Sequence, residues 1–240
     1  MLFTEPLFEC IKALLFPAFC LCCRREGAFL CDVCFQHLGH SGGQKEFISA
    51  EGSAGTGSLD GILSAARYED GSLLARLIHY LKYEYVEALA DPLGTLLVEA
   101  LTTGLGEIGA EDLLFAGSPL ILCPVPLHIK RERWRGFNQA ELLAKKVGTI
   151  TGYKVCQLLE RIHFKKPQME LSREERLRNT DGAFRIRTTS FRLYETVSAL
   201  PAVILVDDVA TTISTLNSCA LELKKAGFKK VLALVIARVD

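Results

Sequence analysis

Short unbroken apolar runs alternate along this chain with stretches whose apolar residues recur every three or four positions. The unbroken runs predict strands over 62–68, 120–123, 203–206 and 230–237, with a further strand region over 154–159. The amphipathic stretches predict helices over 73–82, 86–101, 138–150 and 215–226. Alternation of this kind implies an α/β domain over 59–240, built on a mainly parallel sheet with helices on both faces. Residues 39–58 are rich in Gly and Ser without an apolar period and read as a linker. Residues 1–38 hold an apolar segment and a cysteine-rich stretch, and read as a small module of a helix and a cysteine knuckle. No internal repeat is present.

The pattern around residue 207 changes what the domain can do. Val203 to Val206 is a strand pattern, and Asp207 and Asp208 stand where that strand is expected to end. Ligands of open α/β sheets bind at that edge. Thr211, Thr212, Ser214 and Thr215 follow, and then a helix begins. A helix start offers free N–H groups and the positive end of the dipole to a phosphate. Two carboxylates that can face vicinal hydroxyls, beside a phosphate cradle, describe a site for a sugar phosphate.

Two close Cys-x-x-Cys pairs, Cys20/Cys23 and Cys31/Cys34, carry a second chemistry. Four thiolates at this spacing suit a closed tetrahedral zinc site with a structural role. Disulfides are the other use of such cysteines. The segment before them is too short for a membrane span and lacks the marks of a secretory signal. A cytoplasmic chain with reduced thiols is therefore expected, which favours metal.

Charge is neutral overall, with 28 basic and 28 acidic residues, but it is strongly partitioned. Residues 124–180 carry 13 Lys and Arg against 6 Asp and Glu, a net of +7, whereas 1–123 carry 7 against 16, a net of −9. The basic stretch starts at a predicted strand end, Pro124-Val125-Pro126-Leu127-His128. Lys130, Arg131, Arg133 and Arg135 come next, then Gly136-Phe-Asn-Gln-Ala140, and further on Arg161, Pro167-Gln168, Arg173, Arg176 and Asn179. Arginine forks of this kind suit phosphate or another anion. Trp134 and Phe137 flank the cluster, where they can pack or stack on bases. His79 reads as an ordinary helix residue, and His128 has the strongest position of the histidines.

The run from Val203 to Thr215 resembles the phosphoribosyl pyrophosphate (PRPP) motif of type I phosphoribosyltransferases. With the cysteine knuckle, the Leu-Ile-His-Tyr-Leu-Lys82 helix, the Pro-Val-Pro-Leu-His and Arg-Gly-Phe-Asn-Gln-Ala motifs, and Pro-Gln with Leu-Ser, the chain resembles the ComF competence family of bacterial phosphoribosyltransferase-like proteins. The resemblance implies that Asp207 and Asp208 hold the ribose hydroxyls, and that Thr211, Thr212, Ser214 and Thr215 surround the 5-phosphate. Lys82, Pro124, Val125, Pro126, His128, Arg131, Arg133, Arg135 and Arg173 would serve the pyrophosphate or another anion, with magnesium alongside PRPP. Residues from Arg161 to Arg176 would cover the site. It also implies partners: competence proteins and single-stranded DNA. Two functions stay open, a transferase with an unknown acceptor and a non-catalytic DNA- or protein-binding module in DNA uptake.

One position departs from the motif. Ile213 stands where the family has glycine. A β-branched residue at positive φ would be an outlier, so a crowded phosphate turn is expected. The alternative is that Ile213 points into the core and leaves the turn undisturbed.

Overall fold

A computed structural model describes residues 17–41, 46–49, 57–108, 120–162, 182–194 and 200–239. Its centre is a six-stranded sheet. The strands are β1 (Glu46–Ser49), β2 (Gly61–Arg67), β3 (Leu120–Pro124), β4 (Lys154–Val155), β7 (Ala202–Ala210) and β8 (Val231–Arg238), ordered β1-β2-β8-β7-β3-β4. Every pairing is parallel except that of β1 with β2. A separate antiparallel pair joins β5 (Leu159–Arg161) to β6 (Phe184–Ile186).

The central strands are buried on both faces, which is why they read as continuous apolar runs. Helices α2 (Leu73–Tyr83), α3 (Ala90–Ile108) and α5 (Gln139–Thr151) cover one face, where Leu77, Leu81, Leu97, Leu143 and Val147 meet Ile204 and Val206. Helix α6 (Ser214–Lys225) covers the other, where Leu216, Cys219 and Leu223 meet Val203 and Leu205. The cysteine stretch is not a detached module. It runs into α1 (Asp32–Ser41), and Cys20, Leu21, Leu30, Cys34 and Leu38 are buried in the same cluster as Leu74, Leu77 and Ile78 of α2. The Arg76 guanidinium donates to the Leu21 carbonyl across this junction.

Several elements differ from the sequence expectation. Within the stretch read as a linker, Glu46–Ser49 forms an edge strand with Phe47 opposite Leu63, a pairing only the folded neighbour can supply. The strand region expected over 154–159 is two short strands in two sheets, since β4 pairs with β3 and β5 with β6. Strand β7 runs past the two acids to Ala210, because β8 continues beside it to Arg238. The basic stretch holds a short helix, α4 (Ile129–Arg135), which the apolar period did not reveal. Gly136 ends α4 at φ 83°, and Asn138 then caps α5, which explains the Gly-Phe-Asn order in backbone terms. The apolar segment before the cysteines, and Pro167, Gln168, Arg173, Arg176 and Asn179, lie outside the described residues.

Candidate functional site

Strand β7 outlasts its neighbour β3. Pro124 of β3 pairs with Val206, so Asp207 and Asp208 stand beyond the end of β3 while still paired to β8. Period two then sends their side chains to opposite faces of the sheet. Asp208 continues the face of Ile204 and Val206, toward α2, and is 3% exposed. Lys82, in the last turn of α2, meets its Oδ1 at 2.9 Å. The Val209 N–H donates to the same oxygen at 2.6 Å, while Oδ2 is buried without a hydrogen-bond partner. Asp207 lies on the α6 face and accepts from the Asp208 N–H at 2.8 Å. Burial first, and the Asp208 charge second, push its carboxyl up to about 7.

A cavity of about 190 Å³ opens at this edge, lined by Lys82, Val125, Pro126, Arg131, Arg135, Asp207, Asp208 and Thr215. Eight residues singled out in the sequence for sugar-phosphate or anion binding thus share one space. Leu127 of the Pro-Val-Pro-Leu-His segment and Arg161, which the resemblance places in a cover over the site, line it too, together with Tyr83 and Gln139, which the sequence does not assign to the site. Arg135 is buried, donates to the Gln139 side chain, and lies over the Tyr83 ring at 5.4 Å. Arg161, on β5, has its Nε buried without a partner. Its guanidinium lies over the Phe184 ring at 5.2 Å. Burial, then the Arg131 charge, lowers its pKa. Asn138 stitches the segment after β3 to α5: its Nδ2 donates to the Val125 carbonyl and its Oδ1 accepts from the Ala140 N–H, both at 3.1 Å. The arrangement can take an anion on its arginines and a hydroxyl on the open oxygen of Asp208.

Other expected site residues stand elsewhere. Pro124 lines a neighbouring cavity of about 180 Å³ that shares Pro126, Leu127 and Arg161 with the first. His128 is the buried N-cap of α4, its Nδ1 accepting from the Lys130 N–H at 3.1 Å. Burial, then the charges of Arg161, Lys130 and Arg131, lowers its pKa, so it is neutral near pH 7. It holds α4 in place and lines neither cavity. Arg133 is exposed and lines neither. Thr211 and Thr212 are exposed, and the Thr212 and Ser214 hydroxyls meet at 2.8 Å.

Ile213 corrects one expectation. It has φ −66° and ψ −7°, an ordinary right-handed conformation, and it packs against the core beneath α6. The turn is therefore not strained by the missing glycine. Ile213→Gly is expected to cost on the order of 1–2 kcal/mol, from lost apolar burial and glycine's extra backbone freedom. Phosphate affinity should stay unchanged. A tighter complex in calorimetry, at an unaltered melting temperature, would contradict this.

At the cysteine knuckle, the Sγ atoms of Cys20, Cys23, Cys31 and Cys34 all lie within 4.8 Å of one another. Those of Cys23 and Cys31 are 3.6 Å apart. Tetrahedral thiolates about 2.3 Å from a zinc-sized ion would be separated by about 3.8 Å, so the set fits such an ion with no open position. Cys20, although its burial favours the thiol, is lowered to about 6 by backbone N–H groups at Cys23, Cys31 and Cys22.

No protein-family model matches this chain. Competence protein F of Haemophilus influenzae is 32% identical over 122 residues, covering 50% of this chain and 51% of that protein. DNA utilization protein YhgH of Salmonella typhimurium is 29% identical over 166 residues, 69% of this chain and 67% of that protein. The chain thus spans about half the length of the first relative and about two thirds of the second. This similarity, at 29–32% identity, supports the resemblance to the ComF competence family that the chain's own motifs carry.

Proposed function

We propose that this protein binds PRPP or a related ribose phosphate at the β3–β7 edge and serves DNA uptake in natural transformation. The observation that carries the ligand reading is the unpartnered oxygen of Asp208, almost fully buried, in a cavity whose cationic lining is Lys82, Arg131, Arg135 and Arg161. A buried carboxylate oxygen without a partner is costly, and a ribose hydroxyl supplies the missing donor. The role in DNA uptake is drawn from the names of the relatives, competence protein F and DNA utilization protein YhgH.

In this reading Asp207 and Asp208 orient the ribose diol, and Thr215 with the start of α6 receives the 5-phosphate. Arg131, Arg135 and Arg161 hold the pyrophosphate. Lys82, tied to Asp208 in the free protein, lies close enough to share its charge with that group once a hydroxyl satisfies the acid. If pyrophosphate leaves during a transfer, these groups favour the reaction by positioning and by meeting the charge that develops. Magnesium would offset the repulsion between pyrophosphate and the acids. The knuckle is assigned to structural zinc.

Calorimetric titration with PRPP tests the ligand reading. Saturable binding is expected with magnesium, and affinity at least tenfold weaker without it. Absence of both heat and thermal stabilisation at millimolar PRPP and magnesium would refute it.

A further inference from the structure

Three aromatic side chains, one lining the cavity and two following or preceding its lining residues in the chain, face solvent. Trp134 is 63% exposed, Tyr83 47% and Tyr85 46%. Trp134 meets Tyr85 edge to face, with ring centroids 6.2 Å apart. Tyr83 lines the cavity itself and carries the buried Arg135 over its ring. Tyr85 has φ 57°, at the end of α2, where glycine is the usual occupant. A bulky residue in that conformation is unusual, and here it stands its ring against Trp134. Arg131 precedes Trp134 by three residues on α4, so the two share a side of the helix, and Arg131 also lines the cavity.

We propose that these rings form a base platform, and that the protein binds a nucleoside diphosphate with its base on Trp134 and Tyr85 and its diphosphate on Arg131 and Arg135. Flat rings exposed beside arginines suit a π-face linked to phosphate, and stacking of this kind tolerates any base. The occupant is a mononucleotide because the cationic surface leads into a cavity of about 190 Å³ whose floor holds Asp207 and Asp208. That space accepts one diphosphate, and the carboxylates repel a phosphate backbone continuing past it. The inference deepens the ribose-phosphate reading, since pyrophosphate and nucleoside diphosphate share the same arginines.

Trp134 is the chain's one tryptophan, so its emission reports this platform alone. ADP added to the full chain should quench the emission saturably, and excess pyrophosphate should displace ADP and restore it. Tyr85→Ala should weaken ADP binding about tenfold while its affinity for pyrophosphate, measured by calorimetry, stays as in the wild type. No quenching at millimolar ADP, quenching that pyrophosphate does not reverse, or equal ADP affinity in Tyr85→Ala would each overturn the proposal. Quenching by a single-stranded oligothymidine but not by ADP would also overturn it, assigning the platform to a polymer. ADP binding in a protein that ignores PRPP would uphold the platform and refute the ribose-phosphate reading, and PRPP binding without ADP binding would do the reverse.

Discussion

Asp207→Asn combined with Asp208→Asn is expected to reduce PRPP affinity at least a hundredfold without unfolding the protein. Each carboxylate is read as holding one ribose hydroxyl, and losing two charge-assisted bonds costs about 3–6 kcal/mol. For Asp207→Asn alone, stability should move the other way. The Asp207 carboxyl rises from 3.8 to about 7, through burial and then the neighbouring Asp208 charge. Its folded pKa lies above its unfolded one, so the native state holds the extra proton between these values. The contribution to stability is complete below about pH 4 and is lost as pH rises toward 7. Asp207→Asn escapes that loss. Its advantage over wild type should grow across this window to on the order of 2–4 kcal/mol above pH 7. Chemical denaturation at pH 5 and pH 8 measures it. An advantage that does not grow with pH would show that Asp207 ionises without penalty, and unchanged PRPP affinity in the double variant would place the ligand elsewhere.

Loss of the metal is expected to damage far more than residues 1–38. Purified protein should carry about one zinc per chain, and Cys31→Ser should release it. The sequence alone suggests that the larger domain would stay intact. In the fold, however, Leu21, Leu30, Cys34 and Leu38 are buried against Leu74, Leu77 and Ile78, and Arg76 of α2 holds the Leu21 carbonyl. Helix α2 also delivers Lys82 to Asp208. Loosening the knuckle strips one side of that helix, so Cys31→Ser should lower the melting temperature by about 10 °C, the scale of a few kcal/mol for a chain of this size. PRPP affinity should fall with it. Protein prepared without chelator and found free of zinc would refute the metal assignment. A zinc-free Cys31→Ser variant that melts like wild type would refute the coupling. Among the described residues, no helix is long and apolar enough to cross a membrane.

Much of the fold is legible in the chain because its signals are local. Strands β7 and β8 are buried on both faces and therefore appear as unbroken apolar runs. Helices α2 and α5 carry an apolar stripe with capping residues, Ser72 and Asn138, at their starts. The cysteine spacing is likewise local, and the four sulfurs do converge. Asp207 and Asp208 could be singled out because a charged pair directly after a strand pattern is conspicuous. Arg131 and Arg135 could be singled out because they are dense in charge.

What the chain could not disclose is whatever depends on a neighbour distant in sequence. The edge strand Glu46–Ser49 exists through its pairing with β2, and its own residues carry no strand pattern. The extra length of β7 depends on β8 continuing alongside it, which turns Asp207 and Asp208 to opposite faces of one strand. Ile213 looked like a broken phosphate turn until α6 folded over it and gave its side chain a core to enter. Tyr83 reaches the site only because the fold brings the end of α2 to the same edge as β3 and β7. Local pattern thus determined most of the strands and helices and the convergence of four cysteines. Tertiary packing decided which side chains face one another, because burial, pairing and desolvation are properties of contacts across the fold, not of neighbours along the chain.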